Sequence, residues 1–239
     1  MCGIVAFHGP RSAQALELVQ SCLLQAARRG THATGLAWLE DGGLHMEKAP
    51  VPATEFVAHF DLSRLAEAEE TLSIVAHTRY STSDLAWNQP LDDAECALVM
   101  NGVISQDTPD KWPVSRYEYE DPSYHTGNDA EVALRFARLG ERGRMPGSFA
   151  VAELWVDGRL LIYRNAYRPL HHVRAEGGTL VASTADMIRR AGYGASSLRS
   201  VPPGFVFDLQ ANRVTVEFPP GHEQQPIPRD PRQLRCPTE

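Results

Sequence analysis

Cysteine stands at position 2 of this chain (MCGIVAFHGP), with only Met1 ahead of it. If Met1 is removed, one residue carries both a thiol and a free amine. The thiolate is the nucleophile, and an ordinary thiol is only slightly ionised at neutral pH, so it needs a base. An α-amino group, with an unperturbed pKa of about 7.7–8.0, is partly neutral there and can take that proton. Cysteine is small enough at position 2 to permit removal of the initiator methionine. Taken alone, Cys2 fits equally well as the first residue of a buried strand.

Three other places offer groups that such a nucleophile would need. Asn101-Gly102 closes an apolar run, CALVMNG. A side-chain amide and a neighbouring backbone N–H can converge on one oxygen as an oxyanion hole, and the same dipeptide also makes ordinary turns. Arg79 ends the run LSIVAHTR. A guanidinium there either grips a carboxylate bidentately or is a plain surface arginine. Asp129 opens NDAEVALRFARLG, where it either holds an ammonium group or simply favours a helix N-terminus. Together these groups make the inventory for hydrolysing the side-chain amide of a free amino acid.

Other chemistries find less support. The four cysteines (Cys2, Cys22, Cys96, Cys236) are far apart and form no Cys-x-x-Cys. That argues against a zinc site or a disulfide framework and for a reducing compartment. No metal or organic cofactor is expected. A formal net charge of −7 disfavours nucleic acid or an anionic membrane as partner. No leader peptide and no membrane-length apolar run is present, so a cytoplasmic protein is expected. His77, on a strand, reads as a core histidine. His171 and His172 point to opposite faces of a strand, which argues against joint metal ligation.

The elements that must position these residues follow from patterning. Ile4 to His8 reads as a buried strand. SAQALELVQSCLLQAARRG reads as an amphipathic helix capped by Ser12, with Leu16, Val19, Leu23 and Ala27 on one face and Cys22 as core. TGLAWLEDGGLHMEKA and SFAVAELWVDGRLLIYRN read as hairpins turning at Asp41-Gly42-Gly43 and Asp157-Gly158. TEFVAHF, SRLAEAEE and ADMIRRAG are short helix candidates. NDAEVALRFARLG is a longer helix with Asn128 as its candidate cap. LVAS, FVFDL and RVTVEF add strands. Val103 to His125 reads as an irregular surface insertion. The proline-rich polar stretch 219–239 reads as a tail. The chain is expected to be one α+β domain over 1–218, plus that tail.

MCGIVAF, RRGTHATG, AHTRYST, NQP, LVMNGVI and NDAEV occur here in the order shown by class II glutamine amidotransferase domains, the N-terminal-nucleophile glutaminase domains. GSFAVAELWVDGRLLIYRNAYRPLHH resembles their later hairpin and VPPGFVFDL their closing strand. The resemblance runs from residue 2 to about residue 218. It implies a four-layer α/β/β/α sandwich of two antiparallel sheets. It implies Cys2 as nucleophile with its amine as proton shuttle, and Asn101 and Gly102 as the oxyanion hole. Arg79 would bind the glutamine α-carboxylate and Asp129 the α-amino group. Tyr80 and Thr82 would belong to the loop that closes over L-glutamine, and Arg29 and Gly30 would pack beside the nucleophile. The implied partner is a separate ammonia-accepting synthase. The alternatives are a hydrolase of another γ-glutamyl amide, or an inactive binding or regulatory module of the same fold. The chain departs from the family pattern in four places. His32 stands where aspartate is usual, and Ser83 and Asp84 follow Thr82. Asn165 replaces an aspartate, and no glycine precedes Arg168.

Overall fold

The computed structural model describes residues 1–66, 70–81, 88–104, 126, 128–145, 147–193 and 197–216. Thr82, Ser83, Asp84, Cys236, most of the 103–125 insertion and the 219–239 tail lie outside the described residues.

Strands β1 (Gly3–Pro10), β2 (Ala33–Glu40), β3 (Gly43–Ala49) and β4 (Thr71–Arg79) belong to the first sheet. With them go β9 (His171–Ala175), β10 (Gly178–Ala182) and β11 (Arg199–Ser200), in the order β11-β9-β10-β1-β4-β2-β3. The second sheet runs β13-β12-β8-β7-β6-β5. Its strands are β5 (Leu91–Asp92), β6 (Cys96–Val103), β7 (Ser148–Trp155), β8 (Leu160–Arg164), β12 (Phe205–Asp208) and β13 (Arg213–Val216). All the strand pairs are antiparallel.

Three apolar clusters define four layers. Side chains alternate across a strand, so β1 sends Val5 and Phe7 to one face and Ile4 and Ala6 to the other. Val5 and Phe7 meet Leu16, Val19, Cys22 and Leu23 of helix α1 (Ala13–Ala26). Ile4 and Ala6 join Ala37 and Val75, and meet Ala97, Val99, Ala150 and Ala152 of the second sheet. Leu98 and Met100, on the far face of β6, pack with Val132, Ala133 and Phe136 of helix α3 (Ala130–Arg138). Helix α2 (Ala53–His59) and helix α4 (Ala185–Arg190) complete the outer layer beside α1 through Phe56 and Ile188. The α/β/β/α sandwich expected from sequence is therefore the architecture of this chain.

Local signals match as well. The Ser12 hydroxyl accepts the Ala15 N–H at 3.0 Å, an N-cap worth about 1 kcal/mol. Asn128 Oδ1 accepts the Ala130 N–H at 3.0 Å at the start of α3. One boundary is corrected. Val103 pairs with Ser148 inside β6 and Ile104 is buried in the helix-facing core, so ordered structure extends two residues into the expected insertion. The apolar alternation of the strand continues there, and the polar residues after it masked this. Among the described residues no helix is long and apolar enough to cross a membrane, and no cluster of three or more His, Cys, Asp or Glu is arranged to hold a metal ion.

Candidate active site

Cys2 precedes β1, a central strand of the first sheet, and is half-buried. The turn after α1 holds it in place. Arg29 Nε donates to the Cys2 carbonyl at 2.8 Å. Gly30 allows that turn to press onto the end of β4. A Cβ at position 30 would lie 2.4 Å from the Thr78 carbonyl oxygen, closer than any side chain can stand. The Arg29-Gly30 pair thus sets Cys2 against the strand that ends in Arg79.

Arg79 is buried, and its Nη1 donates to Asn88 Oδ1 at 3.0 Å. The next residue, Tyr80, turns its ring to solvent and offers its backbone N–H to the Cys2 thiol. His32 steadies this corner from below. Its backbone N–H donates to the Arg79 carbonyl at 3.0 Å, and its ring stacks on Tyr80 at 4.9 Å. Its Nδ1 accepts the Ser81 N–H at 2.9 Å. The departure from aspartate therefore keeps an acceptor for the backbone after Tyr80. Thr82, expected in the same loop, lies outside the described residues.

Asn101 and Gly102 come from β6 in the opposite sheet. Gly102 is needed because β7 crosses it closely: a Cβ there would stand 2.0 Å from the Ser148 carbonyl oxygen. Asn101 is only 2% exposed, and among the described residues its Nδ2 meets no hydrogen-bond partner. A buried unpaired amide donor costs about 1–3 kcal/mol, which a ligand oxygen would recover. Two side chains tether the residue before it. Gln89 Oε1 accepts the Met100 N–H at 2.6 Å, and His77 Nε2 donates to the Met100 carbonyl at 3.1 Å across the sheet interface. His77 is therefore a neutral core group, its pKa driven down to about 3 by desolvation with Arg79 adding repulsion. Asp129 Oδ2 accepts the Ile104 N–H at 2.9 Å, which fixes its carboxylate at the end of β6.

The electrostatics bring these groups to one place. Desolvation pushes the Cys2 thiol up, and the Asp129 charge adds to this. The Tyr80 N–H, the chain's ammonium and Arg79 act the other way. The resting thiol is therefore protonated. The amine of Met1 is held below its ordinary value of 8.0 by desolvation, with attraction from Cys2 opposing the fall and repulsion from Arg29 and Arg168 adding to it. Desolvation raises Asp129 to about 6, and its hydrogen bond from Ile104 and the nearby Arg79 charge oppose the rise. An ammonium ligand would relieve that penalty.

Residue-by-residue reading of the sequence overlooked several supports. Asn88 and Gln89 lie in the NQP motif, whose polar residues next to an apolar strand are the signal for buried bracing. Asn165 accepts the N–H groups of Phe149 and Tyr167 and donates from Nδ2 to the Gly147 carbonyl at 2.7 Å. An aspartate in this setting would lack that donor. Arg168, one turn on, reaches the field of Cys2 and Asp129.

The two stacked antiparallel sheets between helices, with a cysteine at the head of a central strand, define an N-terminal-nucleophile hydrolase fold. The same fold is found in the glutamine phosphoribosylpyrophosphate amidotransferase of B. subtilis complexed with ADP and GMP. The TM-score is 0.71 at 20% identity, covering 90% of this chain and 49% of that one. A glutamine aminotransferase class-II domain protein from Silicibacter pomeroyi aligns at TM-score 0.51 and 13% identity, over 91% of this chain and all of that one. In sequence, the chain is similar to the glutamine–fructose-6-phosphate aminotransferases (isomerizing) of Streptomyces coelicolor, 30% identical over 175 residues, and Chlamydia trachomatis, 29% over 177. Each match takes in 66% of this chain and 27% of the relative, so the chain spans about a quarter of the length of these relatives. No family model matches the sequence. The chain is thus similar to class II glutamine amidotransferases in fold and, over the matched stretch, in sequence.

Proposed function

We propose that residues 1–218 form a glutaminase in which Cys2, freed of Met1, hydrolyses the side-chain amide of L-glutamine. The observation that carries this reading is the placing of Cys2 where β1 pairs with the end of β4, beside Arg79, with the buried Asn101 Nδ2 on the facing sheet unpartnered among the described residues. Arg79 takes the α-carboxylate and Asp129 the α-ammonium. The residue-2 amine accepts the thiol proton as sulfur bonds to the amide carbon. The oxyanion so formed is held by Asn101 Nδ2 and the Gly102 N–H. Collapse breaks the carbon–nitrogen bond, and the same amine returns the proton to the leaving nitrogen, releasing ammonia. Water then attacks the γ-glutamyl thioester with its proton passing to the amine, and sulfur leaves as glutamate forms. The ammonia serves a synthase that supplies the acceptor. The relatives' names and their length beyond the matched quarter support such a partner activity.

The experiment is glutamine turnover by protein whose Met1 removal has been checked by intact mass, beside protein that retains Met1. Processed protein is expected to release ammonia and glutamate one to one and to carry a transient γ-glutamyl mass on Cys2. The retained form is expected to be inactive. Equal activity of both forms, or of neither, overturns the proposal. Asn101→Ala is expected to lower kcat by about 10²–10³-fold with a smaller change in KM, because its amide acts on charge that develops only during the reaction. Steady-state kinetics across glutamine concentrations distinguishes this from a loss confined to KM.

A further inference from the structure

Strand β3 is the last strand of the first sheet, and one of its edges is open. It follows β2 through Asp41 and Gly42, both at positive φ (52° and 69°), the geometry of a two-residue type I′ hairpin. Glu40 and Gly43 close that turn as a hydrogen-bonded pair, and such pairs alternate with non-hydrogen-bonded ones along an antiparallel ladder. Gly43, His45, Glu47 and Ala49 therefore turn their backbone groups to β2. Leu44, Met46 and Lys48 turn theirs outward, where among the described residues they meet no backbone partner.

Open edges recruit other strands, and proteins guard them with bulges, prolines or charged side chains. β3 has no bulge and no proline. Its register with β2 runs unbroken from Thr34–Ala49 to Glu40–Gly43. The Lys48 ammonium is drawn back to its own chain, donating to the Pro90 carbonyl at 3.0 Å. On the face toward the second sheet, Leu44 and Met46 pack against the inter-sheet core yet stay partly exposed.

We propose that β3 pairs with β3 of a second copy of this chain, antiparallel about a twofold axis at Met46, joining two seven-stranded sheets into one. The ladder must match outward residues with outward residues. Centred on Met46, the twofold pairs Met46 with the partner's Met46 and, on either side of it, Leu44 with Lys48, so all three outward residues bond. Centred on His45 or Glu47, only two of the three find a partner within the strand. The charges select the same register. On the helix-side face it sets His45 opposite the partner's Glu47, twice. Centring on Glu47 would oppose two carboxylates directly, which is destabilising. On the other face the Met46 side chains meet, and the Lys48 stem covers the partner's Leu44, so the half-exposed apolar groups leave water.

Ala33 pairs with Arg79 and Thr34 with Ala49, so the Ala49 end of β3 lies at the Cys2 end of the sheet. The twofold therefore points the two candidate sites in opposite directions, and neither covers the other. The proposal does not depend on the reading of Cys2.

Sedimentation equilibrium of the full chain over about 2–200 μM is expected to show a monomer–dimer equilibrium with a Kd of about 1–100 μM, since a single short edge makes a small interface. Met46→Lys opposes two ammonium groups at the axis and is expected to weaken association about tenfold or more. Met46→Cys reads the register. Residues directly paired in this way stand about 5.5 Å apart at Cα, within disulfide range. Mild oxidation is expected to give a covalent dimer whose peptide map joins position 46 to position 46, distinct from any link at Cys2 or Cys236. Leu44→Cys, which faces Lys48, is expected to give no 44–44 link. A monomer at the highest concentration, a dimer that Met46→Lys leaves intact, or a 44–44 link as abundant as the 46–46 link overturns the proposal. Should Met46→Lys fail to fold, the wild-type equilibrium and the two cysteine variants still decide.

Discussion

Cys2→Ala protein, with Met1 removed, is expected to lose glutamine hydrolysis by about 10⁴–10⁶-fold, the range seen when a nucleophile is deleted from a catalytic unit. The loss should be confined to chemistry. Arg79 and Asp129 come from β4 and the start of α3, and neither depends on the thiol for its position. Arg79 is bonded to Asn88 and Asp129 to the Ile104 N–H. Glutamine affinity, measured by calorimetry on the variant, is expected to stay within a few-fold of the KM-derived value for wild type. A variant that keeps more than about a hundredth of the activity would show that another group attacks the amide. A variant that loses binding as well would show that the thiol shapes the pocket.

The second large effect is on stability. His77 is expected to make the fold acid-sensitive well above the carboxylate range. Its folded pKa is about 3 against an ordinary 6.5, because burial between the sheets disfavours the imidazolium. The unfolded chain therefore binds a proton below pH 6.5 that the folded chain refuses. Stability contributed by the neutral ring is complete above pH 6.5 and is lost as pH falls toward 3, at about 1.4 kcal/mol per unit. Between pH 7.5 and 4.5 that amounts to about 2–3 kcal/mol. Asp129 works in the opposite sense. Its raised pKa, about 6 against 3.8, penalises the folded state above 6, and the penalty eases as pH falls. Comparison of wild type with His77→Gln removes this and every other shared contribution. Glutamine can still donate to the Met100 carbonyl and carries no titrating group. Urea unfolding at the two pH values is expected to show wild type losing about 2–3 kcal/mol more than the variant. Equal losses would mean that water reaches His77 and that the sheet interface is looser than its apolar packing indicates.

Much of the fold was legible because its signals are local. The alternation of β1, the Ser12 cap and the two Asp-Gly hairpins each depend on neighbours in the chain. The strand at Leu91–Asp92 was not, since two residues carry no periodicity. Nor was the buried pair Arg142–Glu153, in which Nε and Nη2 meet the two carboxylate oxygens at 2.8 and 2.7 Å while Trp155 Nε1 donates to Oε2. Alternation puts Glu153 on the apolar face of Phe149, Val151 and Trp155, and only the partner eleven residues away in sequence makes its burial there tolerable. Removing one member of such a pair costs about 3–5 kcal/mol.

The candidate site divides along the same line. Residue type and chain position were enough to single out Cys2, since the pairing of thiol and amine on one residue needs no fold to be recognised. Arg79, Asn101 and Asp129 were nameable but ambiguous, each with an ordinary structural use. Tertiary structure supplied the surroundings that a linear reading lacks. It stacked the two sheets, left Asn101 Nδ2 buried without a partner among the described residues, and desolvated the Asp129 carboxylate. The reason is desolvation. Sequence records which groups are present, but the cost of burying an unmet donor or charge arises only once the sheets close over it, and that cost marks where a ligand belongs.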